Sequence, residues 1–128
     1  MVAALNQVYS SPGGVPLHFD LFRPDSREPL PAIVCIHGGG WISGEKEGMH
    51  DVALRLAENG FIAACPDYRL APLHPFPAAV QDVQRCVRSL RARADTYGIL
   101  PHTVGAVGNS AGGHLRATLA LTDAGPED

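Results

Sequence analysis

Three short apolar runs constrain the fold of this chain more than any other feature of its sequence. They occupy residues 32–36, 61–65 and 104–107, and each has the length of a β-strand. Continuous apolar runs are typical of strands that are buried on both faces of a parallel sheet. Between them, over residues 47–59 and 77–97, the apolar spacing becomes that of amphipathic helices. This alternation predicts an α/β fold, with a mainly parallel sheet and helices on both faces.

The segment before the first apolar run predicts an N-terminal hairpin. Residues 6–9 and 15–23 have strand character, and a Ser-Pro-Gly-Gly turn joins them. The second strand alternates, with Phe19 and its apolar neighbours on one face and His18 and Asp20 on the other. We expect the face that carries His18 and Asp20 to be exposed to solvent.

Length and composition indicate one globular domain over residues 1–128. The chain is 45% hydrophobic and 18% charged, with a formal net charge of −3. These values argue against disorder and against a nucleic-acid-binding surface, which needs a concentrated basic excess. No signal peptide or membrane-spanning stretch is recognisable, so we expect a cytoplasmic protein that has no membrane partner. The three cysteines, in apolar surroundings and without Cys-x-x-Cys spacing, predict buried thiols and no metal site.

The pentapeptide Gly-Asn-Ser-Ala-Gly at residues 108–112 is the strongest candidate for catalytic chemistry. The apolar run 104–107 precedes it, and the helix-compatible segment 115–121 follows it. A Gly-x-Ser-x-Gly turn between a strand and a helix is the context of a nucleophile elbow, in which the serine hydroxyl projects above the sheet edge. Ser110 is therefore the candidate nucleophile.

A second motif supplies what such a nucleophile needs. Acyl transfer by serine requires hydrogen-bond donors for the oxyanion. The run His-Gly-Gly-Gly at residues 37–40 directly follows a predicted buried strand. We expect the backbone N–H groups of Gly38, Gly39 and Ala111 to form the oxyanion hole. Loops that follow parallel strands meet at the carboxyl edge of the sheet, so the two motifs should converge there.

With these motifs the sequence resembles the α/β-hydrolase fold, in the branch of hormone-sensitive-lipase-like and related small carboxylesterases. The resemblance spans roughly residues 17–121 and depends on three ordered motifs: His-Gly-Gly-Gly-Trp at 37–41, Asp-Tyr-Arg-Leu-Ala-Pro at 67–72, and Gly-Asn-Ser-Ala-Gly-Gly-His at 108–114. It implies hydrolysis of short- to medium-chain carboxylic esters through an acyl-enzyme on Ser110. It implies no cofactor.

The chain also departs from that family. Leu73 stands where the family commonly has a glutamate, and Arg116 lies in a helix that is usually small and apolar. The family places its triad acid and histidine after further strands, in the order Ser, Asp or Glu, His. Here the only histidine after Ser110 is His114, so neither the general base nor the triad acid is assigned. By this interpretation the chain is a truncated α/β-hydrolase domain.

Three functional hypotheses follow. The first is a serine carboxylic ester hydrolase that acts on a small-molecule ester. The second is a non-catalytic remnant or fragment that serves as a binding or assembly module. The third is an amidase or acyltransferase with the same nucleophile. Because the strand at 104–107 would keep one unpaired edge, we also expect a homo-oligomer that forms through this exposed sheet edge.

Overall fold

Five strands and three helices make up the part of the chain described by the structure, a computed structural model. The described residues are 1–26, 28–38, 44–70, 73–74 and 77–108. The strands are β1 (Val2–Ser10), β2 (Leu17–Arg23), β3 (Leu30–Ile36), β4 (Ile62–Pro66) and β5 (Ile99–Gly108). The helices are α1 (His50–Glu58), α2 (Ala78–Ala92) and α3 (Ala94–Tyr97). Short 3-10 turns occupy Pro12–Gly14 and Lys46–Met49.

The strands form one sheet in the order β1-β2-β4-β3-β5. Strand β3 runs parallel to both of its neighbours, β4 and β5. Strand β2 is antiparallel to β1 and to β4, so the predicted hairpin is confirmed and forms one side of the sheet. The α/β architecture expected from the apolar runs is therefore confirmed, as a mixed sheet with a parallel half.

Helices cover both faces of this sheet. On one face, Val83 and Leu90 of α2 pack against a core that includes Phe19, Val34 and Ile62. On the other face, α1 packs against a second cluster, whose buried members are Phe22, Cys35, Met49, Ala53, Ala57, Ala63 and Cys65. The three cysteines are buried and free, as expected. The two amphipathic helices predicted from the sequence therefore each cover one face of the sheet.

Strand β5 differs from its prediction in length and in burial. It begins at Ile99, which pairs with Leu30, and a register shift separates this pair from the one between Ala32 and Val104. Residues 99–103 therefore belong to the strand and not to a connection. Within the described ranges β5 is the last strand of the sheet, and Val107 is 37% exposed. The prediction of a strand buried on both faces is therefore wrong for β5, whose Leu100 and Val107 side chains are 39% and 37% exposed.

The prediction that Asp20 faces solvent is also wrong. Its exposed fraction is 1%, because α1 covers this face of β2. A bulge in β1 places Asn6 in the left-handed region, at φ 54°, and its N–H donates a 2.8 Å hydrogen bond to Asp20 Oδ1. Asparagine tolerates that conformation better than most residues. The buried carboxylate is therefore held by the fold itself.

Candidate active site

The two motifs that suggested catalysis begin at the same level of two neighbouring strands. In the parallel pair β3 and β5, Ile36 is the partner of Gly108. Gly38 follows Ile36 by two residues, and Ser110 follows Gly108 by two residues in the sequence. Gly38 is described and half-buried, whereas Ser110, Ala111 and Gly39 lie outside the described residues. The strand register therefore brings the starting points of the two loops together at one sheet edge.

Tyr68, just beyond β4, holds the first peptide of the glycine run. Its hydroxyl donates a 2.6 Å hydrogen bond to the carbonyl oxygen of His37. Its ring stacks on the His37 imidazole, with ring centroids 4.2 Å apart and planes 9° apart. Both side chains are buried, and burial raises the pKa of Tyr68 to about 12. The phenol is therefore a protonated donor throughout the neutral pH range.

His37 and Gly44 define the shape of the chain on either side of residues 39–43. His37 Nδ1 lies 2.8 Å from the carbonyl oxygen of Gly38, and since a carbonyl only accepts, this contact places a proton on Nδ1. Gly44 has a φ of +96°, and a Cβ there would lie 2.2 Å from the Gly38 oxygen. Only glycine fits such a close backbone approach. His37 and Gly44 thus both pack closely against the Gly38 carbonyl.

Asp67 connects three separate segments at this edge. Its Oδ1 accepts a 3.0 Å hydrogen bond from the backbone N–H of Lys46. Its own N–H donates to the carbonyl of His18 at 2.9 Å, and its carbonyl accepts from the Tyr9 hydroxyl. Asp67 therefore ties the segment that follows residues 39–43 to the N-terminal hairpin.

Arg69 connects the same loop to α2. Its backbone N–H lies 2.8 Å from Asp82 Oδ2, and its guanidinium binds both carboxylate oxygens of Asp82. Asp82 is fully buried, and Arg85 Nη1 approaches its Oδ1 at 3.4 Å. Residues 67–69 therefore each bind a different part of the fold, and this places the loop after β4 firmly beside the end of β3.

A buried charged cluster lies next to this loop, centred on Asp20. Its Oδ2 lies 3.1 Å from Lys46 Nζ and 2.7 Å from His50 Nε2. Burial alone would raise the pKa of Asp20, but hydrogen bonds from Asn6, His50 and Lys46 outweigh it and lower the pKa. Burial likewise acts to lower the pKa of Lys46, and its bonds to Glu47 and Asp20 raise it instead. Asp20 and Lys46 are therefore both ionised at neutral pH.

Sequence reasoning missed Asp20, Lys46 and Asp82 as structural partners of the site. Lys46 is the only lysine of the chain, which is the one sequence sign that it is unusual. No local pattern marks the other two as buried, because each depends on a partner distant in sequence. Leu73, at the position of the family's glutamate, is 82% exposed.

The structure assigns no base among the histidines it describes. His74 and His102 are both exposed, and His102 lies on β5. His114 lies outside the described residues. In the described part of the chain, no three His, Cys, Asp or Glu side chains are grouped so as to hold a metal ion. Nor does any helix there have the length and apolar character needed to cross a membrane.

Comparison with known proteins agrees with this geometry. The BD-FAE family profile matches residues 19–127. The carboxylic ester hydrolase LipN of Mycobacterium tuberculosis is 40% identical over 101 residues, which are 77% of this chain and 27% of LipN. In the first three curated relatives, the segment that matches this chain makes up 33%, 26% and 25% of the relative's length. The chain therefore spans a third or less of the length of these relatives.

Solved structures of an esterase from Thermogutta terrifontis superpose on the chain. Its esterase 2 phosphorylated by paraoxon has a TM-score of 0.87 and 31% identity, over 98% of this chain and 51% of that chain. Its butyrate-bound form has a TM-score of 0.83 and 31% identity, over 90% of this chain and 43% of that chain. The fold described above is thus the fold of about half of an esterase.

Proposed function

The chain belongs to the BD-FAE family and has the α/β-hydrolase fold, and on this premise we propose that it carries the nucleophile and oxyanion hole of a serine carboxylic ester hydrolase. The pairing of Ile36 with Gly108 is the observation that supports this proposal most strongly. Because of this pairing, the candidate oxyanion loop and the candidate elbow begin side by side at the carboxyl edge of the sheet. Ligand sites of open α/β sheets lie at that edge.

In the proposed reaction, Ser110 Oγ attacks the carbonyl carbon of the ester as its proton passes to a base. The N–H groups of Gly38, Gly39 and Ala111 stabilise the negative charge that develops on the carbonyl oxygen. Collapse of the tetrahedral intermediate breaks the bond to the alcohol oxygen, which leaves with a proton, and an acyl-enzyme remains. Water then attacks the acyl-enzyme and releases the carboxylic acid and free Ser110.

The proposed substrates are esters with short- to medium-chain acyl groups. The butyrate-bound structure of the Thermogutta terrifontis esterase supports this choice, since that protein accommodates a four-carbon acid. We expect apolar side chains to bind the acyl group, because an aliphatic chain needs no charged partner.

Hydrolysis of p-nitrophenyl esters of increasing acyl length tests this function, with the Ser110→Ala variant as the control. We expect turnover that is greatest for short to medium acyl chains and is lost in the variant. Matched p-nitroanilides distinguish an amidase, and an added alcohol acceptor distinguishes an acyltransferase. Equal rates for the chain and the variant with every substrate would contradict the proposal and favour a non-catalytic binding or assembly module.

We further propose that a second copy of the chain pairs with the outer edge of β5. Leu100 and Val107 of this strand are 39% and 37% exposed, and β5 ends the sheet in the described ranges. Unpaired strand edges favour association with another chain. Sedimentation velocity at micromolar concentration should show a dimer, and a monomer would contradict this part of the proposal.

A further inference from the structure

The Tyr68 hydroxyl binds one end of a peptide group whose other end is a candidate oxyanion donor. The peptide between His37 and Gly38 contains the His37 carbonyl, which accepts the hydrogen bond from Tyr68, and the Gly38 N–H. A peptide group is planar and trans, so its C=O and N–H point in opposite directions. Whatever fixes the carbonyl therefore also fixes the direction of the N–H.

We propose that Tyr68 is a positioning residue that sets the orientation of the Gly38 N–H for oxyanion binding. This inference depends on the proposed function only for its catalytic consequence. Its structural part follows from the 2.6 Å hydrogen bond and from the stack of the two rings. A hydrogen bond at the carbonyl also polarises the peptide, which makes the N–H a stronger donor.

The surroundings of Tyr68 are suited to this role. Tyr68 and His37 are 4% and 3% exposed, so water does not compete readily for the His37 carbonyl. The residues on either side of Tyr68 are anchored separately, Asp67 by the Lys46 N–H and Arg69 by Asp82. The phenol therefore has a fixed position from which to hold the peptide, and the stacked imidazole limits rotation of its ring.

The substitution Tyr68→Phe tests the role, because it keeps the ring stack and removes only the hydroxyl. Tyr97→Phe is the matched control, since its hydroxyl binds Gln7 Oε1 at 3.1 Å and not the candidate site. Two readouts are needed: the rate at which a p-nitrophenyl phosphonate labels Ser110, and the NMR resonance of the Gly38 amide, which requires no substrate.

We expect Tyr68→Phe to slow labelling about tenfold, which is less than the roughly 100- to 1000-fold cost of removing an oxyanion donor outright. With an ester substrate, kcat should fall while KM stays unchanged, because the oxyanion forms only in the transition state. The Gly38 amide resonance should shift in Tyr68→Phe. The Tyr97→Phe variant should match the wild type in both readouts.

If Ser110 of Tyr68→Phe is labelled at the wild-type rate and the Gly38 amide resonance does not shift, the positioning role is overturned. If the wild-type chain itself is not labelled, the proposed function fails, and the Gly38 resonance alone then decides the role of Tyr68. If Tyr68→Phe does not fold, 3-fluorotyrosine at position 68 replaces it, because this residue keeps the hydroxyl but changes its donor strength. A Gly38 resonance that shifts supports the inference, and one that does not shift contradicts it.

Discussion

The guanidinium of Arg69 binds the fully buried carboxylate of Asp82 through nitrogen–oxygen contacts of 2.9, 3.0 and 3.1 Å. The carboxylate lies on α2, and the arginine lies on the loop that carries Tyr68. A carboxylate removed from water is tolerated only while it is paired. This ion pair is therefore one of the contacts that hold the loop beside the glycine run, together with those of Asp67 and Tyr68.

We expect Arg69→Met to lower the free energy of unfolding by about 3 kcal/mol, since it leaves the Asp82 charge buried. The value lies at the lower end of the usual range because Arg85 Nη1 is 3.4 Å from the same carboxylate. Arg69→Lys should not restore stability, because a lysine lacks the forked geometry that matches a carboxylate. Urea denaturation measures both changes.

The double variant Arg69→Met/Asp82→Leu should recover most of the loss, because it removes the buried carboxylate as well. Arg91→Met is the control, since Arg91 is exposed on the same helix. A stability of Arg69→Met equal to that of this control would show that the ion pair does not hold the loop.

Asp20→Asn is expected to change how stability depends on pH. The pKa of Asp20 is lowered in the folded state, so its contribution is complete above the unfolded-state pKa of about 3.9 and is lost as pH falls through the folded value. The wild type should therefore be more stable than Asp20→Asn at pH 7, and the difference should shrink as the pH falls below about 4. Thermal melts over this range measure it.

Asp95→Asn is the matched control for Asp20→Asn, because Asp95 is an exposed carboxylate on α3. Its effect should be small at every pH. A wild-type advantage over Asp20→Asn that stays constant with pH would contradict the assignment of an ionised, hydrogen-bonded Asp20.

Gly44→Ala should disrupt the start of the candidate oxyanion loop. The new Cβ would lie 2.2 Å from the Gly38 oxygen and 2.8 Å from His37 Nδ1, at a φ of +96°. We expect a loss of more than about 1 kcal/mol of stability, because the backbone conformation and the contact are both unfavourable. Phosphonate labelling of Ser110 should also slow in this variant.

Gly48→Ala provides the comparison, since a Cβ there meets nothing within 4 Å. It should leave melting temperature and labelling rate unchanged or slightly improve stability. If Gly44→Ala behaves like Gly48→Ala, the contact between Gly44 and Gly38 does not constrain the loop.

Local sequence patterns predicted most of the fold but few of the contacts around the site. The apolar runs and helical stripes identified β3, β4, α1 and α2, and the strand order puts Gly38 at the expected sheet edge. The burial of Asp20 was not predictable from its strand, because it is α1 that covers that face. The hydrogen bond from Tyr68 to His37 joins residues 31 positions apart, and no periodicity encodes it.

The start of β5 was not predicted for the same reason, because it depends on a partner that is distant in sequence. Its first residues look like a loop because their neighbours include Pro101 and Thr103. They become a strand because Leu30 begins β3 early enough to pair with Ile99. Strand ends depend on the partner strand, whereas strand centres depend on the apolar run itself.

The central claim is that Ser110 is an activated nucleophile, and covalent labelling tests it most directly. The Thermogutta terrifontis esterase 2 is phosphorylated by paraoxon, so a related organophosphorus reagent is an appropriate probe. Intact-protein mass spectrometry after treatment with a p-nitrophenyl phosphonate should show one adduct, which peptide mapping assigns to Ser110 and which is absent in Ser110→Ala. The absence of an adduct on the wild-type chain, under conditions that label a complete esterase, would contradict the claim.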